Sequence, residues 1–99
     1  MTKAVGSYQK GTAVDRDVMV KAVDHVVTAG QDSANAAAIT VTDIGTVKAV
    51  ISALIESTTG VFRVPQGVVS KSGAVVTVND TGLAVDEIIH LQVVAYEAV

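Results

Sequence analysis

Cysteine is absent from the 99 residues of this chain, which excludes disulfides and thiolate metal sites. Aromatic residues are nearly absent: one Phe, two Tyr and no Trp. Few rings are left on which nucleic-acid bases or sugars could stack. Basic charge is sparse, and Lys3, Lys10, Arg16, Lys21, Lys48, Arg63 and Lys71 nowhere form a run that could follow a phosphate backbone. With a net charge of −3, no nucleic-acid partner is expected. No apolar run is long enough to cross a bilayer, so no membrane partner is expected either. The opening Met1-Thr2-Lys3-Ala4-Val5-Gly6-Ser7 lacks a signal-peptide core, and synthesis in a cytoplasm is the expectation.

Charged residues make up 17% of the chain, against about 25% in an ordinary soluble domain. Apolar residues make up 49%. A chain of this length forms one domain and buries about two-thirds of the surface it exposes when unfolded. Either small Val and Ala side chains tolerate exposure, or a neighbouring subunit covers part of the surface.

What is present favours strands. Val, Ile and Thr are plentiful, and branching at Cβ suits a pleated, packed surface. Turn residues recur at short intervals: Ala29-Gly30-Gln31-Asp32, Ser57-Thr58-Thr59-Gly60, Pro65-Gln66-Gly67, Lys71-Ser72-Gly73 and Asp80-Thr81-Gly82. The pattern predicts an all-β, single-domain antiparallel β-sandwich, immunoglobulin-like or jelly-roll-like. Val68-Val69-Ser70 and Ala74 through Val78 read as a hairpin around the three-residue loop Lys71-Ser72-Gly73. Ser57 to Gly60 reads as a second hairpin turn leading into Val61 to Val64, and Pro65 marks a strand end. Val18 to Thr28 reads as a strand whose alternation slips near Ala22-Val23, which predicts a bulge there.

Residues 45–56 fit two periods. As a strand, Val47, Ala49, Ile51, Ala53 and Ile55 share a face; as a short helix, Val47, Val50, Ile51, Leu54 and Ile55 form a stripe. β-branching and the turn that follows favour the strand. In the last strand, Glu87 to Glu97, alternation sends Ile89, Leu91, Val93 and Ala95 to the core. Ile88, His90, Gln92, Val94 and Tyr96 then form the other face, half apolar, as on a surface covered by another chain. Ile88, His90, Val94 and Tyr96 are the expected subunit-interface residues. Residues 1–16 have no sustained periodicity and read as a flexible N-terminal arm, either frayed or ordered on a neighbour, ahead of a β-sandwich domain at 17–99.

No catalytic constellation emerges. His25 and His90 are the only histidines, and His25 cannot share a site with its strand neighbour Asp24, which points the other way. Asp15-Arg16-Asp17 is too common a pattern to imply a cation, and Asp86-Glu87 reads as the polar approach to the last strand. No phosphate loop, nucleophile elbow or metal-ligand spacing occurs. No catalytic residue, cofactor or metal is expected, and the chain reads as a non-enzyme.

Two stretches carry a resemblance. Ile39-Thr40-Val41-Thr42-Asp43-Ile44-Gly45-Thr46-Val47-Lys48-Ala49-Val50-Ile51 resembles a segment of small structural proteins of tailed bacteriophages, in which a short strand steps into a longer apolar one. From Gly67 to Ala98, Ser72-Gly73-Ala74-Val75-Val76-Thr77-Val78 and Asp86-Glu87-Ile88-Ile89-His90-Leu91 are similar to the closing hairpin and final strand of phage decoration, cement and neck-associated proteins. The resemblance implies a sandwich in a virion, in multiple symmetric copies or as a homo-oligomer, that binds the major capsid protein or connector subunits without catalysis. The alternative is an immunoglobulin-like recognition or adhesion module of a tail fibre or cell surface, binding through loops such as residues 29–38.

Overall fold

The computed structural model describes residues 18–98. The expected arm at 1–16 and Asp15-Arg16-Asp17 lie outside the described residues. Seven strands and one short helix follow in order: β1 (Val18–Val26), α1 (Ala29–Ala34), β2 (Ala36–Thr40), β3 (Val47–Glu56), β4 (Phe62–Arg63), β5 (Val69–Ser72), β6 (Val75–Asn79) and β7 (Ile88–Tyr96). They form two antiparallel sheets, one ordered β1-β7-β3-β4 and the other β2-β6-β5. The all-β architecture is the one the composition predicts.

The core lies where strand alternation sends side chains inward. β7 contributes Ile89, Leu91, Val93 and Ala95, all fully buried as expected from the sequence. Ala37 and Ile39 of β2 and Val76 and Val78 of β6 join them from the other sheet, with Val27, Val41 and Leu83 from connecting segments. β7 is paired on both sides, so its inner face is the centre of the larger sheet.

Residues 45–56 hold no helix; β3 runs through them. Its register against β7 shifts between Val47 and Ala49 and again between Val50 and Ser52. Each irregularity leaves two consecutive residues exposed, Lys48-Ala49 and Ile51-Ser52, while Val47, Val50, Ala53 and Ile55 turn toward the core. Inward residues therefore recur at steps of three before the normal step of two returns. That spacing is why the sequence also fitted a helical stripe, and why Ala49 and Ile51 leave the expected inner face. The bulge expected near Ala22-Val23 does not form, since β1 pairs with β7 in continuous register from Val18 to Val26.

The hairpin between β5 and β6 is tighter than expected. Ser72 pairs with Val75, so the loop is the two residues Gly73-Ala74. Gly73 takes φ 58°, the left-handed first position for which glycine is preferred in such loops. The turn after β3 forms as expected, with Ser57 Oγ accepting from Thr59 N and Val61 N. The strand beyond it is only Phe62–Arg63. Residues 29–38, expected as a loop, fold into α1 and the start of β2. Thr28 caps that helix, its hydroxyl accepting from Gln31 N while Gln31 Oε1 accepts from Thr28 N.

An ion cluster anchors the short β4. Arg63 Nη1 and Nη2 donate to Glu87 Oε2 and Oε1 at 2.9 Å each, and Nη2 also reaches Asp80 Oδ2 at 2.8 Å and Gly82 O at 3.0 Å. Asp80 and Glu87 are buried. Their remaining acceptor capacity is used locally: Asp80 accepts from Gln66 N and Gly82 N, and Glu87 accepts from Ala84 N. Asp86-Glu87 is therefore more than a polar approach to β7, because Glu87 ties that approach to β4.

Candidate functional site

The two sheets expose very different outer faces. On the smaller sheet, alternation turns outward Ala38 and Thr40 of β2, Val75, Thr77 and Asn79 of β6, and Ser70 and Ser72 of β5. These are small or polar, as expected of a solvated face. On the larger sheet, β1 turns out Val20, Ala22, Asp24 and Val26, and β7 turns out Ile88, His90, Gln92, Val94 and Tyr96. β3 adds Lys48, Ile51, Ser52, Leu54 and Glu56, and β4 adds Phe62. Val20 is 61% exposed, Val26 55%, Phe62 54% and Ile51 51%. Large apolar side chains gathered on one face mark an interaction surface more strongly than the same residues scattered singly.

All four expected interface residues, Ile88, His90, Val94 and Tyr96, lie half-buried on this face. The structure gathers around them residues from β1, β3 and β4 that the sequence did not single out. Asp24 stands directly across from His90 on β1, and Leu54 stands across from it on β3, with Glu56 two residues further on. Cross-strand and diagonal neighbours are the pairs a sheet brings into reach. His90 Nδ1 lies 2.9 Å from Asp24 Oδ1, and Nε2 lies 2.7 Å from Glu56 Oε1. The Phe62 ring sits 5.5 Å from the imidazole, centroid to centroid, at a 35° tilt.

Ionised carboxylates only accept hydrogen bonds, so two of them on one imidazole call for a proton on each ring nitrogen. The bond to Glu56, and after it the bond to Asp24, hold the His90 pKa above its ordinary value against a partial loss of hydration. Chemically this is a held cation between two anions. Both ring nitrogens are engaged by carboxylates, which leaves neither to take a proton from a substrate. Among the described residues, no group of three or more His, Cys, Asp or Glu is arranged to hold a metal ion, and no helix is long and apolar enough to cross a membrane.

His25 and Asp24 diverge as the strand period requires. Asp24 turns to His90, while His25 Nε2 donates to Gln31 Oε1 at 2.8 Å on the opposite side of β1. Lys21 shares the His25 side and comes within 3.9 Å of Asp43. Two polar side chains thus sit on the inward side of an edge strand.

No family model matches the chain, and neither does any curated protein or any solved structure.

Proposed function

We propose that this chain is a non-enzymatic structural subunit of a phage particle, of the decoration or cement kind, present in multiple copies on the capsid or connector. It packs against other subunits through the outer face of the β1-β7-β3-β4 sheet. One observation carries this reading: among the described residues, five of the nine exposed large apolar residues, Val20, Val26, Ile51, Leu54 and Phe62, gather on that face, the other four, Val61, Val64, Val68 and Val85, lie in connecting segments, and none lies on the outer face of the β2-β6-β5 sheet. Burying Val20, Ile51, Leu54 and Phe62 against a neighbour would recover roughly 25 cal/mol for each Å² of apolar surface removed from water. The resemblance of residues 39–51 and 67–98 to phage structural proteins supplies the setting.

The test is copy number in gradient-banded particles, counted by quantitative mass spectrometry. Leu54→Asp places a charge in the centre of the face without touching the core. Its incorporation should fall by about tenfold or more, the effect of roughly 1.4 kcal/mol. Thr40→Asp, on the outer face of the smaller sheet, should be incorporated like the unaltered chain. Equal incorporation of both variants would remove the face from the assembly, and absence of the unaltered chain from particles would remove the virion role.

A further inference from the structure

We propose that the molecule covering this face is a second copy of the same chain, packed face to face about a two-fold axis that crosses the strands at Gln92. This rests on the reading of the face as an interface and names the partner.

The face is electrically polar along its strands. At one end Lys48 lies over the Tyr96 ring, 5.9 Å from its centroid. At the other end His90 sits between Asp24 and Glu56. Two carboxylates around one imidazolium leave a surplus of one negative charge. Between the ends, Ala22 and Ser52 flank Gln92 in a single cross-strand row. That row is the waist of the face, between apolar shoulders, Val20 and Val94 on one side and Leu54 and Ile88 on the other.

An axis lying in the face and crossing the strands at this row turns each end onto the other and lays β3 over β3. Lys48 lies between the levels of Ala95 and Val94. The rotation carries it between the levels of Ile89 and His90 in the second copy, within a lysine's reach of Glu56. One positive charge then meets one surplus negative charge, twice in each pair. An axis running along the strands would instead set acidic cluster on acidic cluster, a juxtaposition that costs affinity. The same patch meeting itself is the geometry of the commonest homodimers.

The edges of the sheet are guarded in part against strand addition, although β4 pairs with only Ile55 and Glu56 of β3. β1 turns Lys21 and His25 inward, β4 has only two residues, and Pro65 follows it. Inward charges, short edge strands and proline each oppose strand addition. Three strands of nine or ten residues at about 3.3 Å each and about 4.8 Å apart, with the two-residue β4 beside them, give a flat face of roughly 450 Å². That is below the ~800 Å² per partner of a standard stable interface before side-chain relief is added, so the pairing is concentration-dependent.

Sedimentation equilibrium of the full chain, from micromolar to near-millimolar concentration, tests this. The mass should rise toward twice the monomer, less steeply at high salt. Lys48→Glu and Glu56→Lys should each weaken self-association about tenfold or more, and mixing the two variants should restore a mixed pair. Ser52→Arg, an exposed substitution at the waist, should abolish pairing while the circular dichroism of the β core is unchanged. A monomer throughout, or a dimer indifferent to Ser52→Arg and to the charge reversals, overturns the proposal. The two readings separate cleanly. A monomeric chain whose Leu54→Asp variant is still lost from particles keeps the interface and rejects the second copy. A dimer broken by Ser52→Arg, with the unaltered chain absent from particles, keeps the pair and rejects the particle role.

Discussion

Two clusters in this fold have the same composition, one cation held between two carboxylates, and opposite surroundings. In the first, Arg63 joins Asp80 and Glu87, both nearly inaccessible, and backbone amides of Gln66, Gly82 and Ala84 fill the carboxylates' remaining positions. In the second, His90 joins Asp24 and Glu56 on the outer sheet face, where the Asp24 side chain is 71% exposed and those of His90 and Glu56 are 33% and 27% exposed. Burial assigns their roles. Charges taken out of water must be paired and fully hydrogen-bonded or they destabilise the fold. The Arg63 cluster meets that condition and ties β4 to the segment before β7. Charges left at the surface are screened and contribute little to folding, so the His90 cluster is free to serve another contact.

The largest expected effect breaks the buried cluster. Arg63→Met keeps the volume and removes the cation, leaving Asp80 and Glu87 facing each other without compensation. A loss of about 3–5 kcal/mol in urea unfolding is expected, a large part of a small domain's stability. A loss under about 1 kcal/mol would place the Arg63 cluster in the same class as a surface pair.

The next effect is the pH profile, in which the two clusters act with opposite sign. Burial alone would raise the Asp80 carboxyl, but the bond from Arg63 and the amide of Gln66 outweigh it and hold it below its ordinary value. Glu87 is lowered chiefly by Arg63. Depressed carboxyls give stability that is present above their unfolded values and lost as pH falls through the folded ones. His90 is raised, so its contribution is complete below the ordinary imidazole value and lost as pH rises through the folded one. Urea midpoints should therefore peak between the ordinary Glu value of 4.5 and the ordinary His value of 6.5. Arg63→Met, which leaves burial and mutual repulsion to raise both carboxyls, should reverse the acid limb, and His90→Gln should flatten the alkaline limb. A variant that flattened the opposite limb would break the assignment of the two clusters.

Much of the architecture was legible because strand periodicity is a local signal. Ile89, Leu91, Val93 and Ala95 alternate without interruption, and all four are buried. The outward set of β7 follows from the same alternation, so Ile88, His90, Val94 and Tyr96 could be placed on one face before their neighbours were known. The neighbours could not be named in this way. Asp24 and Glu56 are 66 and 34 residues from His90 in the chain, and only the strand order β1-β7-β3 brings them to its two sides. Arg63, Asp80 and Glu87 were likewise invisible as a cluster, since each sits beside turn residues that explain it locally. β3 is the strand that β-branching favoured, but its expected inner face was wrong at Ala49 and Ile51, because its two irregularities change the spacing of inward residues and also make the pattern fit a helix.

The smallest effect sharpens the comparison most. His90→Gln retains a side chain that can donate to one carboxylate but not to both, and it carries no charge. At pH 6 it should cost about 0.5–1 kcal/mol, the range of an exposed pair, and as pH rises through the His90 titration the difference from the unaltered chain should fall away. The histidine ring proton signals, followed by NMR over the same range, should place the His90 titration above its ordinary value in the unaltered chain and remove it in the variant. A cost matching that of Arg63→Met would make the face a structural part of the sheet. A small cost that disappears with the charge leaves Asp24, His90 and Glu56 as groups the fold can spare, which is the condition for a partner to use them.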